Sequence, residues 1–191
     1  TPNCSSAASD VYKRQVTEDI IMYEVNLRAF SQDGNLAGVQ QKLDHLASLG
    51  VNVIWLMPIQ TNGGPLNSPY CISNFYEVDE EYGTLADLRT FVAEAHNRHM
   101  AVILDWVANH TSWDHTWIDS VGWHTTDAQG NIIHPSGTNW TDVADLNFDN
   151  TVLQEQMIDA MRYWVLEANV DGYRCDCLLY TSPSPRDEAL S

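Results

Sequence analysis

Basic residues are scarce in this chain. Nine Lys and Arg stand against 26 Asp and Glu, for a formal net charge of −17. A surface that negative repels phosphate backbones, which excludes nucleic acid as a partner. Apolar runs long enough to cross a bilayer are lacking, so no membrane span is expected. The four cysteines (Cys4, Cys71, Cys175 and Cys177) fall at no zinc spacing. Cys175 and Cys177 are too close for an ordinary bridge, and the count does not make a disulfide scaffold. A glycine-rich phosphate loop is missing too, since Phe30 to Asn35 reads FSQDGN after the first apolar run. That departs from the dinucleotide fingerprint. No signal peptide is visible, but a chain that does not begin with Met gives that absence little weight. What the chain does have is 44% hydrophobic residues in a length of 191, enough for a globular domain with a real core.

The two ends read unlike the middle. Residues 1–15 and about 177–191 carry no sustained hydrophobic period. They are expected to be linker or non-native tail, attached to a natural segment over residues 16–176. Within that segment apolar β-branched runs alternate with helical periods. Ile20 to Asn26, Val51 to Met57, Ala101 to Trp106 and Val170 to Cys175 read as strands. Leu36, Val39, Leu43, Leu46 and Leu49 fall at helical spacing, with Gly50 as a natural stop. Thr84 caps a helix from Leu85 to about Arg98, with Asp87 three residues on. Asn150 caps another that runs to about Ala168, with Val152, Met157, Met161, Tyr163, Trp164 and Val165 as its apolar set. A Gly-, Pro- and Asn-rich loop follows the second strand, and residues 107–149 form a long polar excursion after the third.

Strand and helix alternating at this spacing imply parallel βαβ units, with strands apolar enough to be buried on both faces. The fold class is therefore α/β. An open doubly wound sheet and a barrel both fit. The polar residues of interest all follow strand ends, the rim where barrel active sites sit. The expectation is a partial (β/α)8 TIM barrel, about strands one to four, with a small inserted loop domain after strand three. A half-barrel leaves strand edges open, so marginal stability or aggregation is expected of the chain as expressed.

The chemistry-bearing residues cluster at those strand ends. Arg174 and Asp176 stand two apart on the fourth strand and so share a face. A guanidinium beside a carboxylate favours its ionised form, as a covalent nucleophile requires. A structural ion pair at the rim accounts for the same two residues. Asp105 is a carboxylate in an otherwise apolar strand, and a buried carboxylate needs a partner. Arg174 on the neighbouring strand is the obvious one. Asn109 and His110 sit where the third strand becomes loop. A neutral His donates to a sugar hydroxyl, and Asn offers an oxygen to a hard cation. Read alone, each is better explained by a satisfied rim or loop role. Tyr70, held by Pro69, is a candidate platform for the CH-rich face of a sugar, whereas Tyr76 and Tyr82 read better as loop packing. Trp113, Trp117, Trp123 and Trp140, mixed with His115, His124 and His134, match no metal spacing and read as loop core with some glucan contacts.

Taken together, these residues resemble the alpha-amylase family, glycoside hydrolase family 13. Asp105 to His110 resembles its signature at the third strand, and Gly172 to Asp176 its Gly-x-Arg-x-Asp signature on the fourth. Asp142 to Asn147 resembles the short signature of the inserted domain. Ser68-Pro69-Tyr70, Tyr82-Gly83-Thr84 and Tyr23-Glu24-Val25 resemble flanking segments. The likeness runs from about residue 18 to Asp176. It implies a retaining α-glucan-active enzyme with Asp176 as nucleophile and Arg174 as its aligning cation. It groups His110, Tyr70 and Asp105 around the substrate, Asp105 by supporting Arg174. It also implies an α-glucan or malto-oligosaccharide substrate. Asn109 matches a position that ligates calcium in many members, but the acidic calcium loop of some members is not evident. No cofactor is assigned, and calcium stays a candidate for the parent protein. In this family the acid Glu and a third carboxylate follow the fifth and seventh strands, so the chain alone is expected to be inactive. Extracellular or periplasmic placement of the parent is favoured by the habit of starch-active bacterial members. A non-catalytic scaffold on the same barrel is the alternative. An unrelated carboxylate–metal enzyme is disfavoured by the missing ligand spacing.

Overall fold

The computed structural model describes residues 19–63 and 68–176. The two expected tails lie outside them. The chain opens with β1 (Met22–Val25), α1 (Leu27–Phe30), α2 (Leu36–Gln40) and α3 (Leu43–Ser48). It continues through β2 (Val53–Leu56), β3 (Gln60–Asn62), β4 (Ile72–Val78) and α4 (Leu85–His96). It then forms β5 (Ala101–Val107), β6 (His110–Ser112), β7 (Val143–Asp145), α5 (Thr151–Ala168) and β8 (Gly172–Asp176). The four strands expected from apolar runs form one sheet in the order β1-β2-β5-β8, every pair parallel. This order follows the chain without reversal, so it lacks the switch point of a doubly wound sheet.

Alternation along the strands decides which face is covered. Ile54, Leu56, Val102, Leu104 and Trp106 are all but fully buried, in one cluster with Leu43, Leu46, Phe91, Val92, Leu153 and Trp164 of the helices. Trp55 and Ile103, one residue out of phase, are only half-buried. Met22, on the edge strand, is 45% exposed. The helices therefore cover one face, and the other holds the polar residues described below.

Local chemistry explains most element ends. Thr84 and Asp87 form a reciprocal capping box at the start of α4. The Asn150 side chain accepts from the backbone of Val152 and Leu153 at the start of α5. Asn169 ends that helix in the left-handed region, at φ 57°. Gly50 does the same after α3, at φ +81°.

Three expectations need correction. The single helix over residues 36–49 is two helices, α2 and α3. The break falls where Lys42 leaves helical geometry (φ −104°, ψ 3°) and its N–H turns back to the Val39 carbonyl at 2.9 Å. Leu36, Val39, Leu43 and Leu46 are still buried, but Leu49 is 55% exposed. Close packing of α2 on the preceding turn requires Gly38, because any Cβ there would collide with Ser31 Oγ. In α5, Val152 and Val165 face solvent, and Leu153, Ala160 and Ala168 take the buried positions beside Met157 and Trp164. The loop after β2 contains the antiparallel β3–β4 hairpin. Phe75 of β4 anchors it, stacking 5.2 Å from Trp106 and accepting from Trp164 Nε1 at its carbonyl (2.9 Å). Inside the long excursion, β6 and β7 form a second antiparallel hairpin. Trp117 packs there with Phe75 and Trp123, while Trp113 and Trp140 lie nearer the surface.

The capping box gives a direct check on this local reading. Thr84→Ala should cost about 1 kcal/mol, seen as a lower urea midpoint with an unchanged slope.

Candidate active site

The parallel register sets Asp105 of β5 directly beside Arg174 of β8. Asp105 is fully buried, yet each of its oxygens is occupied. Arg174 Nη1 donates to Oδ1 and to Oδ2 at 3.2 Å each. Oδ2 also accepts from the Tyr70 hydroxyl at 3.0 Å and from Trp55 Nε1 at 3.1 Å. Burial pushes the Asp105 carboxyl above the usual range, while Arg174 and Tyr70 pull the other way. The same Nη1 donates to Asp176 Oδ1 at 2.5 Å. Among the described residues Arg174 is the sole hydrogen-bond partner of Asp176. One guanidinium thus joins a carboxylate sealed in the sheet to one at the rim.

Loops after the strands complete the surroundings. Ser68 folds the turn before β4: its carbonyl accepts from Cys71 N (2.9 Å) and its hydroxyl from Tyr70 N (3.3 Å). That turn delivers Tyr70 over Asp105. His110 opens β6, and its ring lies edge-on to Trp140 at 5.7 Å. Asn109 Nδ2 donates to His110 Nδ1 (3.2 Å), which leaves His110 Nε2 to donate to the Tyr70 carbonyl (3.2 Å). Burial lowers the His110 pKa, so the neutral ring is favoured. Tyr70, His110, Trp140, Asp142 and Asp176 line a cleft of about 310 Å³, with Ser68 and Cys71 at its wall. The Cys71 thiol is pushed up to about 11 by burial and by Asp142, to which it donates at 3.6 Å.

The structure therefore brings Asp176, Arg174, His110 and Tyr70 together at one rim. Asp105 sits behind them rather than in the cleft, with Arg174 and Tyr70 between. Tyr70 spends its hydroxyl on Asp105. Both nitrogens of His110 already have protein partners, so holding a sugar hydroxyl means exchanging the Tyr70 carbonyl for it. Asn109 is buried, and its backbone carbonyl accepts from Leu146 N at 3.2 Å. Among the described residues no group of three or more His, Cys, Asp or Glu is placed to hold a metal ion. His115 and His124 are buried and neutral, with pKa values lowered to about 3 and about 4 by desolvation. Trp55 is the residue that sequence reasoning missed. Its ring lies 4.8 Å beneath the Arg174 guanidinium carbon, but nothing marks it out within the apolar run of β2.

Comparisons with known proteins bear on the family and the fold. The family model for the alpha amylase catalytic domain matches residues 13–136. The trehalose synthase/amylase TreS of Mycolicibacterium smegmatis is 34% identical over 198 residues, covering 84% of this chain and 33% of that protein. An alpha-glucosidase of Apis mellifera is 32% identical over 217 residues, covering 91% of this chain and 38% of its own length. The crystal structure of an alpha-amylase from Lactobacillus plantarum superposes with a TM-score of 0.77 at 39% identity, over 83% of this chain and 38% of that one. The parallel sheet is thus that of part of an amylase catalytic barrel. The chain belongs to the alpha-amylase family, glycoside hydrolase family 13. It spans 33–38% of the length of these curated relatives.

Removing the cation exposes the cost of the buried acid. Arg174→Met should destabilise by up to about 3 kcal/mol, the lower end for a broken buried pair, because Tyr70 and Trp55 still donate. A carboxyl whose folded pKa lies above its unfolded value binds more protons when folded. The penalty should therefore vanish below about pH 4 and grow as pH rises through the folded pKa. Urea melts of both proteins between pH 3.5 and 7 measure it.

Proposed function

We propose that this chain carries the N-terminal half of the catalytic barrel of a retaining α-glucan-active glycoside hydrolase. It supplies strands one to four of a (β/α)8 barrel, with residues 107–149 as a small domain inserted after the third. One observation carries the reading: a carboxylate in an open cleft is aligned by a guanidinium that is itself anchored on a buried acid.

Asp176 is the nucleophile. Its carboxylate attacks the anomeric carbon of an α-1,4-linked glucosyl unit, the glycosidic bond breaks, and a covalent glycosyl-enzyme forms. Arg174 fixes the attacking oxygen through Nη1. Tyr70 walls the cleft with its ring, and the neutral His110 ring lies beside it, with an N–H that a sugar hydroxyl can compete for. A retaining enzyme also needs a second carboxyl, about 5–5.5 Å from the first, to protonate the leaving oxygen and later activate water. Family resemblance assigns that acid to a Glu after a fifth strand and a stabilising Asp to a position after a seventh. A neutral malto-oligosaccharide suits a cleft that, among the described residues, is lined by no Lys or Arg. The competing reading, a scaffold on the same barrel, gives no reason to keep a nucleophile and its aligning cation in an open cleft.

In the full-length protein, Asp176→Asn should lower kcat on a malto-oligosaccharide by at least about 10³-fold with the fold intact. The 191-residue chain alone should release no sugar from the same substrate. Retained turnover in Asp176→Asn would remove it from the nucleophile role, and turnover by the chain alone would place the acid among its own residues.

A further inference from the structure

The structure assigns Trp55 as the positioning residue that sets the plane of the Arg174 guanidinium and, through it, the aim of Asp176; the inference rests on the hydrolase reading above. A single nitrogen, Arg174 Nη1, serves three carboxylate oxygens: Asp105 Oδ1, Asp105 Oδ2 and Asp176 Oδ1. Its two N–H groups, coplanar with the guanidinium, cannot point squarely at all three acceptors at once, so these bonds admit more than one orientation of the plane. Something must hold the plane, or the Asp176 oxygen is not held in one place.

Trp55 is placed to do so. Its ring lies under the guanidinium carbon at 4.8 Å, within range of a cation–π contact. Its Nε1–H donates to Asp105 Oδ2 at 3.1 Å, the oxygen that Tyr70 and Arg174 also hold. One side chain thus supports the cation by its face and the buried anion by its edge. The register makes this possible. Trp55 is level with Ile103 on β5, and Asp105 stands two residues further along that strand. Arg174 of β8 reaches back over β5 to meet the ring from β2.

Core filling does not explain this arrangement. Trp106 on β5 is almost fully buried and packs as an apolar body, and among the described residues its indole N–H has no partner. Trp55 is half-buried on the opposite face, with its N–H committed to a carboxylate. The hydrogen bond of Trp55 ties it to the ion network.

The two contributions separate by substitution. Trp55→Phe keeps a ring under Arg174 and removes the donor to Asp105. Trp55→Leu removes both. In the full-length glycosidase, Trp55→Leu should lower kcat roughly 3- to 30-fold with little change in KM, the range of a cation–π contact. Trp55→Phe should recover most of kcat, but the acid limb of its kcat/KM profile should move up, because Asp105 has lost a donor to its charged form. Melting within a few degrees of the parent checks that each variant folds. In the full-length protein, the indole N–H of Trp55 should give a proton resonance that shifts as Asp105 titrates and moves on Arg174→Met. A parental kcat and pH profile in Trp55→Leu, beside an inactive Asp176→Asn, overturns the role of Trp55 alone. An active Asp176→Asn overturns the hydrolase reading beneath it. An indole resonance indifferent to pH and to Arg174→Met overturns the contact itself.

Discussion

A carboxylate with no exposure to water sits in the middle of an apolar strand, and the arrangement around it follows from that. Asp105 is tolerable there only because three donors from three different segments converge on it. Trp55 comes from β2, Tyr70 from the turn before β4, and Arg174 from β8. Each donor that satisfies the buried acid is thereby fixed in space, and one of them, Tyr70, lines the cleft. The acid costs stability where it lies. In return it fixes the groups around the site.

The cleft inherits its chemistry from this anchor. Arg174 is held from behind and offers its remaining reach to Asp176, so the rim carboxylate is aimed before any substrate arrives. Burial keeps His110 neutral, and its ring is oriented by Asn109 on one side and the Tyr70 backbone on the other. The segment leading into β7 brings Trp140 and Asp142 to the cleft, beside His110 and Cys71. A strongly negative chain has little electrostatic pull on anions, in keeping with the neutral sugar proposed as its substrate.

Much of this was legible in the sequence, for identifiable reasons. Two-residue spacing on a strand predicts that Arg174 and Asp176 face one way. A lone acid among Val, Ile and Leu predicts a buried partner for Asp105. Capping residues placed the starts of α4 and α5 correctly. The β3–β4 hairpin was not legible, because Gln60–Asn62 has no apolar alternation, and Asn62 is held instead by hydrogen bonds to Asp79. The break between α2 and α3 was hidden because its apolar positions keep helical spacing across the turn. Trp55 was invisible for a different reason. In a strand that is apolar throughout, composition does not say which face a residue takes, and only the register with Asp105 and Arg174 reveals it.

The central claim is that Asp176 is presented by Arg174 as a nucleophile. Its most direct test is to treat the full-length protein with a fluorinated glucosyl fluoride that forms the glycosyl-enzyme but releases it slowly, then to locate the adduct by peptide mass spectrometry. The account predicts one fluoroglucosyl group on the peptide that carries Asp176. An adduct on Asp142 or another carboxylate would contradict it.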